Sequence, residues 1–147
     1  MNVNHEIKSQ LAKLLATEDL VVENKQVETA SFNVHTRVLT LPQWEKASGQ
    51  VYDLLVGHEV GHALFTPDIE WYKDYQISPG IVNVVEDARI EKLMKRKYAG
   101  LPKTFFTGYK ELQGMDFFKL SNIDVNDMGI ADRLNLYFKI GNFIDID

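Results

Sequence analysis

The segment from residue 48 to residue 65 constrains the fold of this chain more than any other part of the sequence. Its apolar residues, Val51 and Leu54 among them, recur at the spacing of one helical face. The pattern ends at Thr66-Pro67, where a proline cannot continue a helix. We therefore predict a helix here, with these apolar residues as core candidates, against which neighbouring elements pack.

The residues before this helix favour β-strands. Residues 19–23 form a short β-prone run, and apolar and polar residues alternate over 30–41. The alternation changes phase at Leu39, which predicts a bulge or the exit of a strand before Pro42. These segments together predict a small sheet of two or three strands.

Helical patterns make up most of the remaining chain. Asn4 can cap a first helix that ends near Ala16, and further helices are predicted over residues 78–98, 103–113 and 127–140. With no repeat or linker in the sequence, we expect one α+β domain over residues 1–147: a small twisted sheet packed on the helix of residues 48–65, then a mainly helical C-terminal part. Apolar Phe143 and Ile144 near the last residue suggest the N-terminal part of a longer polypeptide.

Composition excludes several classes of function. Sixteen Lys and Arg residues against twenty-one Asp and Glu residues give a net charge of −5, which disfavours nucleic acid as a partner. The sequence contains neither a long apolar run nor a signal-peptide pattern, so we expect a cytoplasmic protein that does not engage a membrane. The oligomeric state is left open. Because the chain has no cysteine and four histidines, any transition-metal site must use imidazole and carboxylate ligands.

The sequence His58-Glu59-Val60-Gly61-His62 is the motif that carries chemistry. On a helix, residues four apart share a face, so both imidazoles can reach one zinc ion. Glu59 lies beside the ion, where a carboxylate can take a proton from a zinc-activated water. Two ordinary helical histidines are the simpler alternative. The helical context favours a zinc site with Glu59 as the general base.

A catalytic zinc site needs a third protein ligand. His5 and His35 lie upstream, whereas the downstream candidates are the carboxylates of the helix after Pro79. Glu86 interrupts an otherwise apolar stripe, which is a costly place for an unpaired charge. Asp87 lies on a more polar face. We therefore predict Glu86 as the ligand and Asp87 as the acceptor for an imidazole N–H of a ligand histidine.

The strings V-G-H-E-V-G-H-A-L-F-T-P and N-V-V-E-D-A-R-I-E resemble the gluzincin branch of the zincin metallopeptidases. They are also similar to predicted metallopeptidases of large tailed phages and to peptidase-like regions that precede von Willebrand type A domains. The resemblance implies a zincin-like fold, zinc on His58, His62 and Glu86, and Glu59 as the base. Gluzincins usually place an Asp four residues after the ligand Glu, whereas this chain has Ile90 there. A phage origin would place the protein in the host cytoplasm.

Two classes of function remain open. The first is zinc-dependent hydrolysis of a peptide or protein substrate. The second is a non-catalytic zincin-like module for partner binding or regulation within a larger phage or bacterial protein, against which the intact Glu59 counts. The strand region 30–41 could pair with an extended peptide.

Other residues also have alternative roles. Arg89 is expected to pair with an acid in its own neighbourhood, although it could bind a substrate carboxylate. The basic string of residues 92–97 is expected to be a solvated helix end. Candidate donors to a developing oxyanion are Tyr72, Tyr75, Tyr98 and Tyr109.

Overall fold

The computed structural model describes residues 3–74 and 76–147, in which helices and a small sheet form a mixed α+β architecture. The strands are β1 (Val21–Lys25), β2 (Ser31–Asn33) and β3 (Val38–Pro42). The helices are α1 (His5–Ala16), α2 (Gly49–Phe65), α3 (Pro79–Lys97), α4 (Leu101–Gly114) and α5 (Ile130–Ile140). A short 3₁₀ turn, Val125–Asp127, precedes α5. No helix in the described ranges has the length and hydropathy that a bilayer crossing requires.

The sheet has the order β1-β3-β2, with β1 parallel and β2 antiparallel to the central β3. The change of phase within residues 30–41 is a hairpin turn between β2 and β3, and not the expected bulge or strand exit. Asn33 Oδ1 accepts hydrogen bonds from the backbone N–H groups of His35 (2.9 Å) and Thr36 (3.0 Å), which folds the chain back. Arg37 closes the turn with a positive φ of 58°. The local polar contacts of Asn33 therefore override the alternation.

Side-chain caps mark where the first two helices begin. Asn4 Oδ1 accepts from the N–H of Ile7 at 3.2 Å, and Ser48 Oγ accepts from the N–H of Val51 at 3.4 Å. Helix α3 begins differently, because Ser78 makes no capping hydrogen bond and Pro79 supplies the first helical residue. The first three helices thus begin close to the predicted residues, whereas α5 begins at Ile130 and not at residue 127.

Helix α2 lies at the centre of the molecule and packs against α1, α3, α4 and the sheet. Tyr52 anchors it to the end of β3, since its hydroxyl donates to the carbonyl of Pro42 (2.6 Å) and accepts from the N–H of Trp44 (2.8 Å). Two glycines allow close helix approach: a Cβ at Gly61 of α2 would lie 2.8 Å from Ile90 Cδ1, and a Cβ at Gly108 of α4 would lie 2.7 Å from Leu54 Cβ. This packing holds α3 directly over the His58–His62 face of α2.

Candidate metal centre

The contact between α2 and α3 brings the polar side chains of both helices together. His58 and His62 lie one turn apart on α2, and their rings meet edge to face with centroids 5.1 Å apart. One ligand atom from each of His58, Glu59 and His62 lies within 4.8 Å of the others, so this group could hold a metal ion. Ring nitrogens and a carboxylate oxygen are donors that suit zinc and several other divalent metals.

Asp87 of α3 is the carboxylate that reaches both imidazoles. Its Oδ1 lies 3.1 Å from Nε2 of His62 and 3.5 Å from Nε2 of His58. Ligand atoms of a tetrahedral zinc ion lie about 3.3–3.5 Å apart, given bonds of about 2.0–2.1 Å. The second oxygen of Asp87 accepts from Lys139 Nζ of α5 at 3.4 Å. Both distances from Asp87 Oδ1 are close to this spacing.

The other ring nitrogen of His58 is held by a buried carboxylate. Nδ1 of His58 donates to Oε2 of Glu91 at 2.8 Å, and the Tyr109 hydroxyl donates to the same oxygen at 2.7 Å. Glu91 is buried, and these two donors compensate the loss of its hydration. The contact orients the ring so that Nε2 points towards Asp87, which is how outer carboxylates support metal-binding imidazoles.

A longer chain of hydrogen bonds holds His62. The Thr66 hydroxyl donates to Oε1 of Glu86 at 2.7 Å, and Arg89 binds both oxygens of the same carboxylate through Nε (2.8 Å) and Nη2 (2.7 Å). Because the single hydroxyl proton of Thr66 is used in this way, its oxygen accepts from Nδ1–H of His62 at 2.8 Å. Nδ1 thus carries a proton, and Nε2 is the nitrogen that remains for a metal.

The protonation of the centre follows from burial and charge. Burial alone would lower the pKa of His58, but its contacts with Asp87 and Glu91 and the charge of Glu59 raise it to about 10. Burial would raise the pKa of Asp87, yet its contacts with both histidines hold the pKa well below its usual range. An ionised carboxylate only accepts hydrogen bonds, so the contact between Asp87 and His58 favours a proton on Nε2 of His58.

Glu59 differs from the other acids of the centre. Its carboxylate lies 4.0 Å from Nε2 of His58 and is buried beside the cleft. Burial raises the pKa of Glu59, although the neighbouring His58 and His62 oppose this shift. A carboxylate with a raised pKa close to a metal site is a suitable proton acceptor.

The centre opens into a cleft of about 590 Å³. Ser31 and Phe32 of β2 line one side of it, and Trp71 and Tyr72 of the segment after α2 line another. Since β2 pairs only with β3 among the described residues, its outer edge remains available to an extended chain.

The other histidines and the predicted oxyanion donors are distributed around the molecule. His5 stacks edge to face on Tyr52, and His35 pairs with Asp68, so neither belongs to the cluster around Asp87. The Tyr98 hydroxyl donates to the carbonyl of Leu15 at 2.6 Å. Tyr72 and Tyr109 line the cleft, whereas Tyr75 lies outside the described residues.

The two candidate carboxylates do not lie where their predicted roles would place them. Asp87, expected as an outer acceptor, lies at the Nε2 atoms, whereas Glu86, expected as a ligand, contacts Thr66 and Arg89. Arg89 accounts for the difference, because its bidentate pair stabilises Glu86 within the apolar stripe without a metal.

The sequence prediction missed Glu91 and Thr66 as partners of the histidines. Spacing could have indicated both residues. Glu91 follows Asp87 by four positions, and Thr66 follows His62 by four positions, so each pair shares a helical face or its continuation.

Protein-family models, curated protein sequences and solved structures gave no match to this chain. What the centre can do chemically therefore has to follow from its own geometry and donor set.

Proposed function

We propose that this protein is a zinc-dependent peptidase with a zincin-like fold, in which His58, His62 and Asp87 hold the ion and Glu59 is the general base. The observation that carries the proposal is the position of Asp87 Oδ1 opposite both Nε2 atoms, with Glu59 beside them and free of strong partners among the described residues. A structural metal site would not need this additional carboxylate. The resemblance to gluzincins supports the same conclusion.

Counting from Asp87 restores an acid four residues after the ligand, although the ligand is then Asp and the later acid is Glu. The position four residues after Glu86 is the apolar Ile90, whereas the position four residues after Asp87 is Glu91. Glu91 is the acid that accepts from Nδ1 of His58. We therefore assign the ligand role to Asp87, and we assign to Glu86 the positioning of His62 through Thr66.

The residues of the cleft have separate roles in the proposed reaction. When bound, zinc would polarise the scissile carbonyl and lower the pKa of a water molecule. Glu59 accepts the proton of the attacking water and passes it to the leaving amine. The outer edge of β2 pairs with the extended substrate, as strand addition allows. Glu91 and Thr66 keep both imidazoles in the ligating orientation throughout.

The test compares wild type with Glu59→Gln, which preserves the size of the side chain. Zinc content and thermal stability are expected to stay close to those of wild type, while turnover falls by about 10²–10⁴-fold because the base is lost. The measurement is digestion of a denatured protein mixture in the presence of zinc, with new termini identified by mass spectrometry. Equal cleavage by both proteins would exclude Glu59 as the base. Zinc binding without cleavage by wild type would favour the non-catalytic module.

A further inference from the structure

The end of α3 and the start of α4 carry a concentrated positive charge. Residues 92–110 contain six Lys and Arg residues and no Asp or Glu, although the whole chain has a net charge of −5. All six side chains are exposed: Lys92, Lys95, Arg96, Lys97, Lys103 and Lys110. The charge of this segment therefore differs in sign from that of the rest of the molecule.

The pairing of these cations also differs from that elsewhere. Most Lys and Arg residues outside the segment form an ion pair, as Lys8 does with Asp53 and Arg37 with Glu18. Within the described residues, none of the six cations of residues 92–110 has a carboxylate within 4.0 Å. The dipole of α3 explains the three cations of its last turn. It does not explain Lys103, because a cation in the first turn of α4 is opposed by the dipole of that helix.

A groove runs beside this segment, between α3 and α5. It has a volume of about 400 Å³, and Lys92, Lys95 and Arg96 line it together with apolar side chains. Phe138 of α5 forms part of the apolar lining and is 50% exposed. The acids that line the groove, Asp87 and Glu91, are already engaged by the groups of the metal centre. The free charge in the groove is thus positive.

We propose that this groove, defined by Lys92, Lys95, Arg96 and Phe138, binds an acidic segment of a partner protein that also carries apolar side chains. Carboxylates of the segment pair with the three cations, and an apolar side chain packs against Phe138. Such a site does not depend on the proposed peptidase reaction. A nucleic acid fits less well, because its backbone offers nothing to the apolar lining and the acidic remainder of the chain repels a long polyanion.

Fluorescence anisotropy at low ionic strength tests the proposal with defined probes. The first is a labelled peptide in which Glu alternates with Leu, and the second is a peptide of equal charge in which Glu alternates with Gly. A single-stranded and a duplex DNA oligonucleotide complete the set. We expect the Glu-Leu peptide to bind most tightly, with an affinity that falls as salt screens the charges.

Two variants locate the site. The triple variant Lys92→Gln, Lys95→Gln, Arg96→Gln should weaken binding of the Glu-Leu peptide at least about tenfold. Phe138→Ala should weaken binding of the Glu-Leu peptide and leave binding of the Glu-Gly peptide unchanged. All four side chains are exposed, so the fold tolerates these changes.

The matched control removes three exposed lysines from other surfaces, namely Lys46, Lys73 and Lys119. It should change peptide binding by less than about twofold. Equal losses in both triple variants, tighter binding of either DNA, or no peptide binding by wild type at low ionic strength would each overturn the proposal.

Discussion

The two sides of α2 are packed in contrasting ways. Towards α4 the contact is apolar, with Leu101 and Phe105 lying 3.5 Å from the position of a Cβ on Gly57. Towards α3 the contact combines apolar Ile90 with the buried charges around His58. Burying apolar surface favours folding directly, whereas the attraction between buried charges must first offset the free energy lost when they are desolvated. The α4 side therefore contributes mainly stability, whereas the contacts on the α3 side must offset the desolvation of its charged groups.

The apolar side should show the largest loss of stability on mutation. Leu101→Ala removes a buried side chain next to Gly57 and should lower the free energy of unfolding by about 2–5 kcal/mol. Urea denaturation measures this loss. Zinc affinity of the folded variant should stay near that of wild type. A large loss of affinity in Leu101→Ala would show that the two sides of α2 are not independent.

The polar side should respond most strongly in metal binding. Asp87→Asn removes the carboxylate that faces both Nε2 atoms and should weaken zinc binding at least about 100-fold. Glu86→Gln acts on His62 through Thr66 and should weaken zinc binding about tenfold. Competition with a chromophoric chelator measures both affinities. The reverse ranking would return the ligand role to Glu86.

The pH dependence of the polar side follows from His58. Its pKa is raised from 6.5 to about 10 in the ion-free protein, so a proton must leave the ring before zinc can bind. Zinc affinity should therefore rise by up to about tenfold per pH unit from neutral pH towards pH 10. Calorimetry in buffers of different ionisation enthalpy counts the released protons. Binding without proton release would contradict the charged state of His58.

The raised pKa of His58 also affects the stability of the protein without zinc. A pKa that is higher in the folded state than in the unfolded state stabilises the fold fully below the unfolded value of 6.5. This contribution is lost as the pH rises through about 10. Thermal unfolding across that range, in the presence of a chelator, should show the decline.

A pair of glycine substitutions gives the smallest expected effects and the most direct comparison. A Cβ at Gly61 would come within 2.8 Å of Ile90, so Gly61→Ala should displace α3 and cost up to about 1 kcal/mol after the gain in helix propensity. A Cβ at Gly57 meets its neighbours at an ordinary 3.5 Å, so Gly57→Ala should be neutral or stabilising. Thermal unfolding measures the stability of both variants. Equal effects would contradict the difference in packing between the two sides of α2.

The secondary structure was largely predictable, because helix starts and apolar periods are local properties. Asn4 caps the first helix as expected, and α2 spans Gly49–Phe65, close to the predicted residues 48–65. The turn between β2 and β3 was not predicted, since the side chain of Asn33 has to be weighed against an alternation that continues beyond it. Local sequence patterns therefore predict the secondary structure well, except where two patterns favour different structures.

The candidate metal centre was predictable only in part, because the carboxylate that meets the histidines depends on the packing of two helices. The motif identified His58 and His62 as neighbours, and their rings are adjacent in the structure. The choice between Glu86 and Asp87 rested on the cost of an unpaired buried acid, whereas Arg89 supplies Glu86 with a partner. Which of two adjacent acids faces α2 depends on the rotation of α3, and a periodic pattern does not specify that rotation.

Thr66 links the metal centre to the backbone outside it. The residue caps the C-terminal end of α2, its N–H bonds the carbonyl of His62, and its hydroxyl contacts the ring of His62. A change in the orientation of that ring would thus alter the contacts of Thr66, where the chain enters the segment that lines the cleft. Occupation of the centre should accordingly slow amide hydrogen exchange at Thr66 and the residues after it, which makes this helix end a natural reporter of the bound state.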